Sequence, residues 1–316
     1  STQFHPRARR PTVPRKRGRA ARRKTSATRL PAPPADLLAA ILSEESTTSI
    51  EGLGAPGLAH VRMGERDIED AEELVVAGKL ASFEPVRPLH QGTRSKNRIG
   101  LVVVPDDDST RSVWAESKLE KTHIINQLWA YSPQAIATQP LVLEWELSPG
   151  TSLRHTPDLL VEYTDGRRCL YDVRYSEMWN QRFAVHALLS EAWCDARGIE
   201  YRVLGAMPAQ RRKNLLNLHQ VTDLNQCGQE LSNCILTTLS NPHSLSYVAR
   251  LHGGFSSVIA PLRYLMWRRQ LIFDIDAPVG SSTWVVSGET DTRCDSFTFH
   301  ADSVRLAVLD RDGRFA

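Results

Sequence analysis

The sequence predicts an α/β core built on a mixed sheet, preceded by a basic arm and followed by a small module of helices and a hairpin. Three observations carry that prediction. Apolar runs of strand length alternate with helical stretches between about residues 95 and 207. After Gln229 come three short helical periods and one pair of strand-like runs. Residues 1–30 hold eleven Lys/Arg and no Asp/Glu, whereas the remainder holds 28 Lys/Arg against 36 Asp/Glu. The chain has 316 residues, so at about 100–200 residues per domain two folded units are expected.

The arm, residues 1–35, reads HPRARRPTVPRKRGRAARRKTSATRLPAPP over most of its length. It has almost nothing apolar to bury, so it is expected to be disordered when free. Guanidinium forks pair with phosphates, which makes nucleic acid the leading partner, held by counterion release without base reading. Arg15, Lys16, Arg17, Arg22, Arg23 and Lys24 are the candidate contacts. A solubilising or targeting tail is the competing explanation. A polybasic stretch with no apolar segment behind it is not expected to act as a secretory signal. No run approaches the roughly 20 apolar residues of a membrane helix, so no membrane role is expected.

Residues 36–84 read as a helical segment, with one short period at 36–50 and an acidic-faced helix at 65–80. NRIGLVVVP is a β-branched strand, and WAESKLEKTHIINQLWAY carries apolar residues at helical spacing from Trp114 to Trp129. ATQPLVLEWEL and PDLLVEY read as strands, TDG as a turn, and RRCLYDVRY as a further strand. RFAVHALLSEAWCDARG is an amphipathic helix closed by Gly198, and EYRVLGA is a short strand. QELSNCILTTLS, SLSYVARLHG and SSVIAPLRYLMWRRQ are the later helices, with a hairpin in LIFDIDAPVGSSTWVVS. Trp114, Trp129 and Trp145 fit core packing. The five cysteines show no metal spacing and are expected to be reduced thiols.

Three carboxylates stand at the ends or edges of these elements: Glu120, Asp158 and Asp172. A tight hairpin would bring Asp158 and Asp172 to one end of the sheet. Magnesium takes hard oxygen ligands and keeps waters, so a few converging carboxylates suffice. A metal-activated water could then attack a phosphodiester. Arg174, two residues after Asp172, shares its face of the strand. Each of these short patterns alone is commonplace, since an Asp after Pro often only caps a turn.

Their order is more specific. ESKLEK on a helix, TQPLVLEW, RHTPDLLV, TDG, YDVR, a long helix and YRVL, spread over roughly residues 85–220, together resemble the TnsA family. These are the endonuclease subunits of heteromeric bacterial transposases. The resemblance implies a PD-(D/E)xK, restriction-endonuclease-like domain over 85–207 and a winged-helix domain over 208–316. It implies magnesium, with manganese able to substitute, bound by Glu120, Asp158, Asp172 and the carbonyl of Val173. Gln139 matches the glutamine of the family's QP strand. Glu116, four residues before Glu120, would support it from the same helical face. Arg174 departs from the family's lysine. It keeps the charge but cannot accept a proton. His155 is assigned no role.

The resemblance also implies the reaction and its partners. The substrate would be double-stranded DNA at transposon ends, nicked at the 5′ ends. The partners would be a TnsB-like DDE transposase and a TnsC-like AAA+ regulator, in a cytoplasmic, nucleoid-associated setting. In the winged helix, Arg263, Arg268 and Arg269 are the candidate phosphate contacts. Two alternatives stand beside this reading. One is a catalytically weakened bridge between transposase, regulator and DNA. The other is a winged-helix DNA-binding regulator.

Overall fold

Parallel pairing of two strands sets the centre of the fold. RCLYDV and EYRVL form β9 (Arg168–Val173) and β10 (Glu200–Leu204), paired from Cys169 opposite Glu200 to Val173 opposite Leu204. A parallel pair needs a crossover. Helix α3 (Gln181–Asp195) supplies it. Its first turn is capped by Asn180, whose side chain accepts the Phe183 amide at 2.9 Å. Its end closes as expected, with Gly198 at φ 67° and the Ile199 amide returning to the Cys194 carbonyl. The computed structural model describes residues 38, 41–42, 57–63, 66–86, 100–106, 109–148, 150–221, 228–288 and 296–311.

The predicted hairpin forms: β8 (Leu159–Glu162) runs antiparallel to β9. On its other side lie β5 (Ala135–Thr138) and then the hairpin of β3 (Gly100–Asp106) and β4 (Ser109–Ala115). Helix α2 (Lys118–Tyr131) packs on one face of this sheet and α3 on the other. Alternation along β9 divides its side chains accordingly. Cys169 and Tyr171 join the core of α2, while Leu170 joins that of α3.

Four expectations need correction. ATQPLVLEWEL is two strands: Gln139 takes φ 47° ahead of Pro140, which cannot donate to a ladder. Beyond this kink β6 (Leu141–Ser148) leaves for a second sheet. There it pairs with β1 (Leu58–Met63) and β7 (Thr151–His155). The segment 36–84 is therefore not simply helical, because LAHVRM alternates with Ala59 and Val61 buried and takes strand form. The acidic stretch at 65–80 yields β2 (Arg66–Ile68) and only a six-residue helix, α1 (Glu72–Ala77). Trp114 belongs to β4, opposite Leu101, and is 43% exposed rather than core.

The fourth correction concerns the C-terminal boundary. Residues 209–287 do form helices and small strands: α4 (Ala209–Leu218), α5 (Gln229–Thr238), α6 (Leu245–Leu251) and α7 (Phe255–Trp267). A three-stranded sheet of β11 (His243–Ser244), β13 (Trp284–Ser287) and β12 (Leu271–Ile272), in that order, accompanies them. The chain then returns to the first sheet. β14 (Thr298–Phe299) pairs antiparallel with β10, and α8 (Ala301–Arg311) packs on α3, burying Val304 and Val308. No helix among the described residues is long and apolar enough to cross a membrane.

Two hydrogen-bonded struts brace these later elements, one from α2 to α7 and one from α4 to the loop after β12. Buried Trp129 donates its Nε1–H to the Met266 carbonyl at 3.1 Å. Arg211 grips Asp276 with two bonds of 2.9 and 2.7 Å. Trp129→Ala should lower unfolding free energy by about 3–5 kcal/mol, read as a fall in the urea midpoint. A midpoint within experimental error of wild type would remove Trp129 from the core.

Candidate active site

β8, β9 and α3 leave a cleft of about 310 Å³ at the carboxyl end of β9. Its lining includes His155, Asp158, Asp172, Arg174, Asn180, Arg182, Phe183 and His186. Asp158 is fixed by the ladder around it. Its amide donates to the Tyr171 carbonyl, its carbonyl accepts from the Gln139 amide, and its Oδ2 accepts the Val173 amide at 2.7 Å. This last bond ties the PD strand to the strand that carries Asp172. Alternation then places Arg174 on the same face, where its guanidinium lies 4.4 Å above the Phe183 ring.

Asp172 is 2% exposed, and a buried carboxylate must be compensated. Two groups do this. Tyr201, opposite Leu170 on the parallel strand β10, donates its hydroxyl to Oδ2 at 2.5 Å. His155 places Nε2–H at 2.7 and 2.9 Å from the two oxygens. Burial, and then the Asp172 charge, push the Tyr201 hydroxyl well above the ordinary tyrosine value, so it remains a donor. Behind His155 the His186 ring lies 4.6 Å away, tilted by 33°. Burial, followed by the nearby charges of His155, Arg182 and Arg174, holds His186 well below the usual histidine range.

The structure thus brings Asp158, Asp172 and Arg174 together. Glu120 is not among the residues that line the cleft. Its local role is a cap: Ser117 Oγ accepts the Glu120 amide at 3.1 Å, and Glu120 Oε2 accepts the Glu116 amide at 2.8 Å. This is a variant of the reciprocal Ser-x-x-Glu cap. Glu116 precedes the helix, so it does not share a helical face with Glu120. Gln139 is 1% exposed, and neither atom of its side-chain amide has a hydrogen-bond partner among the described residues. Val173 contributes its amide to Asp158.

This donor set does not fit a three-carboxylate magnesium site. Glu120 does not line the cleft, and both oxygens of Asp172 are engaged. No group of three His, Cys, Asp or Glu among the described residues is spaced to hold a metal ion. The arrangement can do something else: it sets carboxylates beside guanidinium groups in one concave, polar site. Sequence reasoning missed His155, His186, Tyr201 and Arg182. His155, three residues before Asp158 in RHTPD, was the one with a visible signal.

Outside the cleft, Arg269 spends its guanidinium on the Ala130 carbonyl (2.8 Å) and Ser132 Oγ (3.1 Å), at the end of α2. There it acts as a strut between α7 and the end of α2. Arg263 is partly exposed and Arg268 exposed. Arg15, Lys16, Arg17, Arg22, Arg23 and Lys24 lie outside the described residues.

Residues 134–205, which span β5 to β10 and include Asp158, Asp172 and Arg174, match the family model described as TnsA-like endonuclease N terminal. This segment is TnsA-like. The match supports a TnsA-like transposon endonuclease and hence a nuclease function in transposition. It does not extend to Glu120 or to the helices after residue 205. No curated protein matches the chain.

Tyr201→Phe should lower stability by about 1.5–3 kcal/mol, because it removes a donor from a buried carboxylate. Urea unfolding checks this. A variant as stable as wild type would show that Asp172 does not depend on the Tyr201 hydroxyl.

Proposed function

We propose that the chain is the endonuclease subunit of a heteromeric DNA transposase and cuts the phosphodiester backbone at the cleft of Asp158, Asp172 and Arg174. The observation that carries this reading is that the cleft's acids and arginines converge inside the TnsA-like segment. In hydrolysis a water oxygen bonds to phosphorus, the bond from phosphorus to one sugar oxygen breaks, and that oxygen leaves with a proton. Charge grows on the phosphate oxygens as this happens, and a guanidinium already in place stabilises it without reorganisation. Arg174, steadied over Phe183, is such a group. The substrate in this reading is double-stranded DNA at transposon ends, nicked at the 5′ ends. A TnsB-like transposase and a TnsC-like AAA+ regulator are its partners. Magnesium, or manganese in its place, is the cofactor that the family resemblance brings.

The same reading gives two further regions a task. The basic arm would hold DNA by charge alone. Helices α5, α6 and α7 with the small sheet have the element order of a winged helix. Its apolar residues Leu251, Phe255 and Ile259 are exposed, which favours protein docking over base reading.

Two features favour a second reading, the weakened bridge. Arg174 cannot accept a proton. Asp172 already holds two hydrogen bonds.

One assay separates the readings. Transposon-end duplex, the partner proteins and either metal are mixed with wild type, Asp158→Ala, Arg174→Lys or Arg174→Ala, and nicks are resolved on a denaturing gel. The nuclease reading expects wild type and Arg174→Lys to nick and Asp158→Ala to be silent. Arg174→Ala should be slower by about a hundredfold, as for loss of one transition-state charge contact. A silent wild type with Arg174→Lys gaining activity selects the bridge. Undiminished nicking by Asp158→Ala moves the active site elsewhere.

A further inference from the structure

The cleft has two sides, and only one of them is acidic. Opposite Asp158 and Asp172 stands the first turn of α3, a 15-residue helix whose N-terminal end carries partial positive charge. Arg182 lies on that turn and is exposed, and Arg174 reaches over Phe183 towards it. Among the described residues neither guanidinium has a carboxylate partner. Arg154, also at the cleft, is instead paired with Glu144 at 2.6 Å. His186, one turn further along α3, lines the same cleft and is 9% exposed, and its buried Nε2 has no hydrogen-bond partner. A buried polar atom left without a partner is uncommon in a native fold, and here it belongs to a ring that lines a polar, concave site.

We propose that this side of the cleft is a seat for the terminal phosphate of a cut DNA strand, held by Arg174, Arg182, the amide end of α3 and His186. This rests on the nuclease reading, in which hydrolysis leaves a phosphate monoester on one side of the break. A monoester carries about −1.5 to −2 charges at neutral pH, against one for a diester. Two guanidinium groups and a helix N-terminus suit the more highly charged group. The acids on the other side are not in competition. Asp172 is compensated by Tyr201 and His155, and Asp158 accepts the Val173 amide. The neutral state of His186 also suits the role, since its nitrogen can donate to a phosphate oxygen without adding charge to a site that already has two cations. The product would then leave slowly, and the broken end would stay aligned beside the enzyme that made it.

The test is a binding measurement without catalysis. The full chain is titrated, in chelator, with three nicked duplexes of one sequence: 5′-phosphate at the nick, 3′-phosphate at the nick, or hydroxyls on both sides. Fluorescence anisotropy reads the affinities. One phosphorylated nick should bind about tenfold more tightly than the hydroxyl nick, the scale of one charge-assisted hydrogen bond. Which one does so identifies the side of the break that is held. Arg182→Gln, at an exposed position, should fold normally by circular dichroism and reduce the preference to near unity. Equal affinity for all three nicks overturns the proposal, as does a preference that Arg182→Gln leaves intact. A chain that never cuts but prefers one phosphate would fail the nuclease reading alone. A chain that cuts and shows no preference would fail only this one.

Discussion

Much of the site follows from one buried charge. Asp172 lies in the interior of a sheet, where an uncompensated carboxylate would cost several kcal/mol. The solution draws on two separate parts of the chain. Tyr201 comes from the neighbouring parallel strand and His155 from the end of β7. Once those are in place the cleft has little freedom. His155 packs on His186, which fixes the inner wall of α3, and Arg174 is carried out over Phe183 by the alternation of the strand. The parallel register of β9 and β10 is thus as much a part of the site as any side chain in it, because a slip of one residue would turn Tyr201 to the other face.

The same constraint bears on the chemistry. A carboxylate that already accepts from a tyrosine and a histidine is a poorer ligand for a hard cation than one facing water. Glu120, which the family resemblance would place beside it, is engaged in capping its own helix. The two departures point the same way. Under the proposed reading the cleft serves the phosphate, and Arg174 in place of lysine belongs to that pattern. A guanidinium is a fixed, planar, doubly bonding cation suited to gripping an oxyanion, whereas lysine can also exchange a proton.

The hairpin of the candidate site was legible because each of its signals is local. Pro157 and the TDG turn bound the strands, and Asp172 and Arg174 share a face by simple alternation. Gly198 was legible for the same reason, since only a left-handed position ends the helix as observed. What could not be read depended on contacts distant in sequence. The pairing of His155 with Asp172 requires β7 and β9, from different sheets, to meet at one end. Glu120 carried two compatible meanings: the Ser-x-x-Glu spacing is a helix cap as well as a family motif, and the fold realises the cap. LAHVRM alternates as a strand should, but the run is only six residues long. Trp114 kept a helical spacing with Leu128 that the strand β4 makes irrelevant.

Strand β14 and helix α8 give the chain an unusual order of completion. They close the edge beside β10 and cover α3, yet they are synthesised only after the whole helical module between Ala209 and Ser287. That module is therefore an insertion with both ends anchored on the sheet, unlike a bead on a tether. A ribosome must release it before the outer face of α3 can be covered. Until then the face of α3 that packs on α8 stays uncovered, and the cleft rests on a helix backed on one side only. A nascent or truncated chain would carry every residue of the cleft and still lack the packing that holds them in place.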